Sequence, residues 1–246
     1  MSDPMPRIHL YADSNLPESG PFLLPVGPSH HLLKVLRARN AQPLTLFNGD
    51  GAVYHATLVG VSSGVALLEL AGRHLQVTLS PLAIQVFLPL TRGERWDWSL
   101  QKAVELGVRR IQPVACRHGV VQLSEARGEK RLARWRDIVI AACEQSGATT
   151  IPELAPPLAL EVAWDAVRGT PLVLDPEGSA RFVSIESHPG PEITLLSGPE
   201  GGLAAEEVAA ARAHGFRLLR MGPRILRAET AAIAAIAVAQ ALWGDL

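Results

Sequence analysis

Residues 195–208, LLSGPEGGLAAEEV, run an aliphatic strand through a glycine- and proline-rich turn into a helix rich in alanine and glutamate. Strand, turn and helix in that order are the unit of an α/β sheet, whose ligands sit at the carboxyl ends of the strands. The turn is no ordinary phosphate cradle. A Walker loop needs Gly-x-x-x-x-Gly-Lys-Ser/Thr, and neither that run nor a Gly-x-Gly-x-x-Gly following a strand occurs in the chain. Gly198, Gly201 and Gly202 let the backbone approach a flat ligand, Pro199 stiffens the loop, and Glu200 is a fixed acceptor. A carboxylate there repels phosphate but suits hydroxyl donors or a cation. A nucleoside with a positive centre and no phosphate fits, S-adenosylmethionine being the common cellular example. A plain turn whose glutamate favours the helix N-terminus is the competing reading.

Two other segments echo the pattern. PLVLDPEGS (171–179) and RLLRMGPRIL (217–226) each send an apolar strand into a turn holding glycine and proline. In a parallel sheet such exits lie on one edge, so the three predict one pocket. From LAIQVFLPL (82–90) onward short strands alternate with helices, the α/β pattern. RGERWDWSLQKAVELG (92–107) is an amphipathic helix burying Trp96, Leu100, Ala103 and Val104 and ending at Gly107; VRRIQPV returns as a strand. EKRLARWRDIVIAACEQSG (129–147) is a second helix, and IPELAPPLAL (151–160) reads as a proline-rich connector. The first 72 or so residues are β-rich, with NGDG (48–51) as a hairpin turn and SHHLLKVLRAR as one helix opening on Ser29 as N-cap. A change of rhythm at AGRHLQVTLSP (71–81) sets the boundary, giving domains 1–74 and 75–246.

Length and composition agree. A chain of 246 residues, 48% hydrophobic, buries a sizeable core as one large or two modest domains. The longest aliphatic run, AAIAAIAVA (231–239), is far short of the ~20 residues that span a bilayer, and nothing reads as a targeting leader. The expectation is a cytoplasmic protein with no membrane contact. Cys116 and Cys143 have neither metal-ligand nor disulfide spacing, so no metal is expected. Net charge is −1, but residues 83–150 carry 11 Lys and Arg against 7 Asp and Glu, while 151–246 carry 7 against 12. A nucleic-acid surface is therefore expected mainly on the middle stretch.

LLSGPEGGLAAEEV, followed by LLRMGPRILRAETAAIAAI (218–236), resembles the C-terminal signature of the bacterial 16S rRNA (uracil-N3)-methyltransferases, the RsmE type of the SPOUT superfamily. HHLLKVLRAR, LFNGDG, RGERWDWSLQKAVELGVRRIQPV and EQSG are similar to further blocks of that family, so the likeness covers nearly the whole chain. The resemblance implies an α/β fold: a C-terminal SPOUT-type parallel-sheet domain with a trefoil knot, and a small N-terminal PUA-like β-barrel domain. Periodicity predicts no knot. It further implies an S-adenosylmethionine cofactor, a 16S rRNA or small-subunit partner and a homodimer. One departure is Ala228, in LRAETA, where the family typically has threonine.

Carried onto this chain, the cofactor pocket comprises Leu174; Leu196, Ser197, Gly198, Pro199, Glu200, Gly201 and Gly202; and Met221, Gly222, Ile225 and Leu226. Arg224 and Arg227 are the candidates to stabilise charge on uracil oxygens; Glu229 and Glu200 are the candidates for a base, although either also suits a hydrogen-bonding or capping role and Glu229 fits first the opening of the alanine-rich last helix. Candidate RNA contacts are His31 and Arg37 in the first domain and Arg92, Arg95, Lys102 and Arg117 in the second, each arginine having a surface ion pair as its alternative. Competing functions are a SPOUT enzyme acting on tRNA and a non-catalytic RNA-binding assembly factor.

Overall fold

A computed structural model describes residues 8–76, 78–121, 125–185 and 189–246; Val77, in the segment AGRHLQVTLSP, lies outside them. The chain forms two compact units. One takes the chain up to Leu79 together with Cys143–Ile151, and the other takes Ser80–Ala142 and Pro152–Leu246.

The first unit is a five-stranded sheet in the order β1-β3-β4-β5-β2, formed by β1 (His9–Tyr11), β2 (Ser19–Leu23), β3 (Pro43–Phe47), β4 (Ala52–Ser62) and β5 (Val65–Leu75). β1 and β3 are parallel and the other pairs antiparallel. The NGDG turn joins β3 to β4 as its composition predicts: Asp50 Oδ1 accepts the Ala52 N–H at 2.8 Å, and the flanking glycines hold φ of 95° and 85°. Alternate side chains such as Leu44, Leu46, Leu68 and Leu70 close on Leu10, Leu24 and Leu32 as the core. Ser29 does not cap its helix. α1 (Val26–His30) begins after Pro25, and a π-turn continues through His31–Val35. The buried Ser29 hydroxyl donates to Leu24 O at 2.8 Å and accepts the Ala66 N–H at 3.1 Å. Satisfying those buried backbone groups outweighs the capping role its position suggested.

Cys143–Ile151 completes this unit through polar contacts. Glu144 Oε1 accepts the Tyr11 N–H at 3.0 Å, His9 Nε2 meets Ala148 O at 3.1 Å, and the Thr149 N–H donates to Thr78 Oγ1 at 3.2 Å. Burial pushes the Glu144 carboxyl above its usual range, against the lowering effects of that amide and of His31. Its neighbour Cys143 is buried, with its thiol pushed up to about 12.

The second unit is a wholly parallel sheet in the order β12-β10-β11-β6-β7-β8. Its strands are β6 (Ala83–Pro89), β7 (Arg110–Ala115), β8 (Glu153–Leu154), β9 (Leu158–Ala159), β10 (Thr170–Leu174), β11 (Glu192–Leu196) and β12 (Arg217–Leu219). The segment read as a proline-rich connector thus supplies β8 and β9, both paired to β7; two residues apiece are too few to show alternation. The helices are α2 (Glu94–Glu105), α3 (Glu125–Ser146, counted in the first unit from Cys143 on), α4 (Leu160–Ala163), α5 (Ala205–Ala213) and α6 (Ala228–Trp243). α2 buries Trp96, Leu100, Ala103 and Val104 as its spacing predicts, and Gly107 stops it at φ 75°, a left-handed conformation that favours glycine. Phe87, Val114, Val173, Leu196 and Phe216 lie in one core around the strands. Among the described residues no helix is long and apolar enough to cross a membrane.

A cleft at the carboxyl edge of the parallel sheet

β12, β10 and β11 are adjacent and parallel, so their exits emerge side by side. Together they wall a cleft of about 1000 Å³. The first exit is pinned by the Asp175 N–H donating to Leu219 O at 2.9 Å and the Glu177 N–H donating to Asp175 Oδ1 at 2.7 Å. A Cβ on Gly178 would lie 3.0 Å from the Leu219 carbonyl carbon, so this turn needs its glycine for close approach to β12. In the second exit the Ser197 N–H donates to Phe87 O at 3.3 Å, extending the β6 ladder, and the Gly202 N–H closes a turn on Pro199 O at 2.9 Å. Ser197, 2% exposed, also brings its hydroxyl within 3.4 Å of Ala228 O, which ties the second exit to the start of α6. Arg220 Nε donates to Gly222 O at 3.0 Å and shapes the third exit.

Ten of the proposed cofactor residues line this cleft: Leu174, Ser197, Gly198, Pro199, Glu200, Gly202, Met221, Gly222, Ile225 and Leu226. Leu196 is fully buried in the core beneath. Gly201 lies off the wall, against His118, whose Cβ would be 3.0 Å from a Cβ at that position. Arg224 and Arg227 line the cleft as well, and Ile225 between them is 88% exposed. Glu229 sits in the first turn of α6, with Oε2 buried and unpartnered.

Glu200 forms an ion pair with Arg95, which reaches the cleft from the first turn of α2. Arg92 is exposed on the neighbouring β6 exit and donates to Val120 O at 3.2 Å beyond β7. The Arg117 guanidinium meets Glu206 at 3.2 Å, while the backbone N–H of Arg117 donates to Glu207. Lys102 meets Glu105 of its own helix at 2.7 Å. In the first unit Arg37 is exposed at φ 51°, and His31 lies within electrostatic reach of Glu144.

Two residues outside the sequence-derived site hold it together. Glu207, 5% exposed, accepts the Ala204 N–H at the start of α5 and the Arg117 N–H after β7, both at 2.8 Å. The first contact follows from a glutamate three residues after a helix N-cap, a signal LAAEE contains. His118 Nδ1 meets Gly202 O at 3.2 Å, a contact no local pattern announces. Cys116 nearby is no nucleophile at neutral pH: burial, reinforced by the charges of Glu207 and Glu161, pushes its thiol up to about 12. The opposite side of α5 borders a smaller cavity of about 370 Å³ with Glu161, Trp164 and His214, apart from the strand exits. Among the described residues, no three His, Cys, Asp or Glu side chains gather as a metal site.

The RNA methyltransferase domain family matches residues 78–240, and the RNA methyltransferase PUA domain family matches residues 29–70. A ribosomal RNA small subunit methyltransferase E of Buchnera aphidicola subsp. Schizaphis graminum is 32% identical over 225 residues, covering 89% of each chain. The crystal structure of a protein of that name from Neisseria gonorrhoeae, bound to S-adenosyl methionine, superposes with a TM-score of 0.90 at 39% identity, covering 98% of this chain and 99% of that one. A methyltransferase of Legionella pneumophila, in complex with bound cofactor SAM, gives 0.92 at 34% identity, covering 97% and 99%. The chain belongs to the ribosomal RNA small subunit methyltransferase E family.

Proposed function

We propose that this protein transfers the methyl group of S-adenosylmethionine to N3 of a uridine in the 16S rRNA of the small ribosomal subunit. The observation that carries the reading is the convergence of three strand exits on one cleft with Arg224 and Arg227 in its wall. The cleft's residues fit the cofactor. Its volume of about 1000 Å³ accommodates a nucleoside with an amino-acid tail, and no lysine is among its lining residues. Gly202 and Gly222 leave the turns open, with nothing within 4 Å of a Cβ built on either. Leu174 and Leu226 offer apolar wall and Glu200 a carboxylate.

The bound cofactor supplies an activated methyl group; the protein's share is positioning and charge. Uracil N3 carries a proton and is normally base-paired, so the base must be unpaired to enter the cleft. Arg224 and Arg227, in the cleft wall, stabilise the negative charge that grows on the uracil oxygens as that proton leaves, and the Glu229 carboxylate, at the start of α6 just beyond them, accepts it. The N3 electron pair forms the new N–C bond, the pair of the broken S–C bond stays on sulfur, and the proton passes through Glu229 to solvent. Arg95 offers a phosphate contact at the cleft, and Arg92, Arg117 and Lys102 offer others elsewhere on the second unit; His31 and Arg37 offer them on the first unit.

The same reading makes the first unit, which holds residues 1–74, the RNA-binding module and the second unit the transferase, with a trefoil knot around the cleft, a homodimeric assembly and a cytoplasmic site of action. Light scattering tests the assembly. The function is tested by incubating 16S rRNA from cells lacking this gene with protein and cofactor, then reading reverse-transcriptase stops. Methylation at N3 blocks Watson–Crick pairing, so one new stop is the expected result. Methylation of tRNA alone overturns the reading.

A further inference from the structure

Glu200, assigned above to the cofactor pocket, and Arg95, assigned to RNA, hold each other in the structure. Their side chains are 43% and 47% exposed, and both line the cleft. Arg95 follows Gly93 in the first turn of α2, and the buried Trp96 beside it anchors the backbone. The long guanidinium arm can therefore change partner without disturbing the helix. An ion pair so exposed is weak, and a change of one charge in what occupies the cleft is enough to redistribute it.

We propose that this ion pair couples the charge of the cofactor to the grip on RNA. The inference rests on the methyl-transfer reading. S-adenosylmethionine carries a sulfonium, an ammonium and a carboxylate, a net charge of one positive unit. In its presence the negative charge of Glu200 is balanced from within the cleft, and Arg95 turns to an RNA phosphate, which it grips as a planar two-pronged donor. Methyl transfer breaks the S–C bond with its electron pair left on sulfur, so the product is a neutral thioether of zero net charge. Glu200 then takes Arg95 back and the hold on RNA loosens. Arg95 is thus a positioning residue whose partner reports whether the methyl group has gone. Because coupling is reciprocal, RNA strengthens binding of the cationic cofactor by the same factor.

The test is RNA affinity, which needs no turnover. A fluorescent fragment of 16S rRNA is titrated at low salt with protein saturated either by sinefungin, whose amine stays positive in place of the sulfonium, or by S-adenosylhomocysteine. Wild type is expected to bind RNA about two- to five-fold tighter with sinefungin, the range an exposed pair allows. The ratio should fall to about one in both Glu200→Gln and Arg95→Gln, each checked for an unchanged thermal midpoint. A ratio of one in wild type with both ligands bound overturns the proposal while leaving the cofactor site standing, and so does a ratio that survives in Arg95→Gln. Failure of both analogues to bind wild type sinks the methyl-transfer reading itself.

Discussion

Glu207 joins two segments of the site: one carboxylate takes the amide that opens α5, just after the glycine turn, and the amide of Arg117 after β7. Both bonds measure 2.8 Å, and the residue is 5% exposed. Bonds to a buried ionised group contribute ~1.5–3 kcal/mol each. Glu207→Ala removes both, but Arg117 is exposed enough for water to replace one, whereas Ala204, 4% exposed, keeps an unpaired amide. The net cost is therefore about 3 kcal/mol, towards the lower end of the two-bond total. Glu207→Gln keeps one acceptor, turns its NH2 towards the other amide and loses the charge, for about 2 kcal/mol. In a unit of this size that places the alanine variant about 6–12 °C below wild type in thermal unfolding. Calorimetry of the two variants gives the stability, and titration with S-adenosylmethionine gives the site: the alanine variant should bind several-fold more weakly, because His118, next to Arg117, bears on Gly202 O. An alanine variant within 1 °C of wild type would refute the assignment of Glu207 as the tie between these segments.

Other outcomes follow from the same geometry. Glu229→Gln should keep cofactor binding and lower methyl transfer by ~10²-fold or more, measured as initial rates at saturating cofactor; an unchanged rate removes it as the proton acceptor. Both thiols, pushed up to about 12 by burial, should resist Ellman's reagent in the folded protein at neutral pH and react together only on unfolding. Burial lowers the His9 pKa from its ordinary 6.5 despite the raising effect of Ala148 O. Its neutral form is thus the folded one, and stability is complete above that value and drains away as pH falls below it. Urea midpoints of wild type should drop through this window, and those of His9→Phe, which keeps a ring against Phe47, should not drop for that reason.

Where one pattern dominated, the fold was legible. The apolar spacing of α2, the stop at Gly107, the NGDG hairpin and the three exits all depend on contacts within a few residues, or on a sheet rule that holds for any parallel neighbours. Ser29 misled because its hydroxyl answers to Ala66, 37 positions away, rather than to its own helix. β8 and β9 hid because two residues show no period. At the site, the residue types were legible and the pairings were not. Nothing in GPEGG says that Glu200 meets Arg95, 105 positions earlier, nor that His118 reaches Gly202. Likewise, the EQSG block could be read as polar and helical, but only the folded chain brings Glu144 to the Tyr11 amide.

That last contact bears on how the protein is made. The first unit needs Cys143–Ile151, which the ribosome delivers only after β6, α2 and β7 of the other unit have been synthesised. When the first 79 residues emerge, Tyr11 has no carboxylate to meet and Thr78 no Thr149 amide, so the amino-terminal sheet must wait, incomplete, for a late-arriving piece. A fragment cut at that point inherits the same deficit permanently. Grafting residues 143–151 back through a short linker is the way to obtain the module as a free-standing fold.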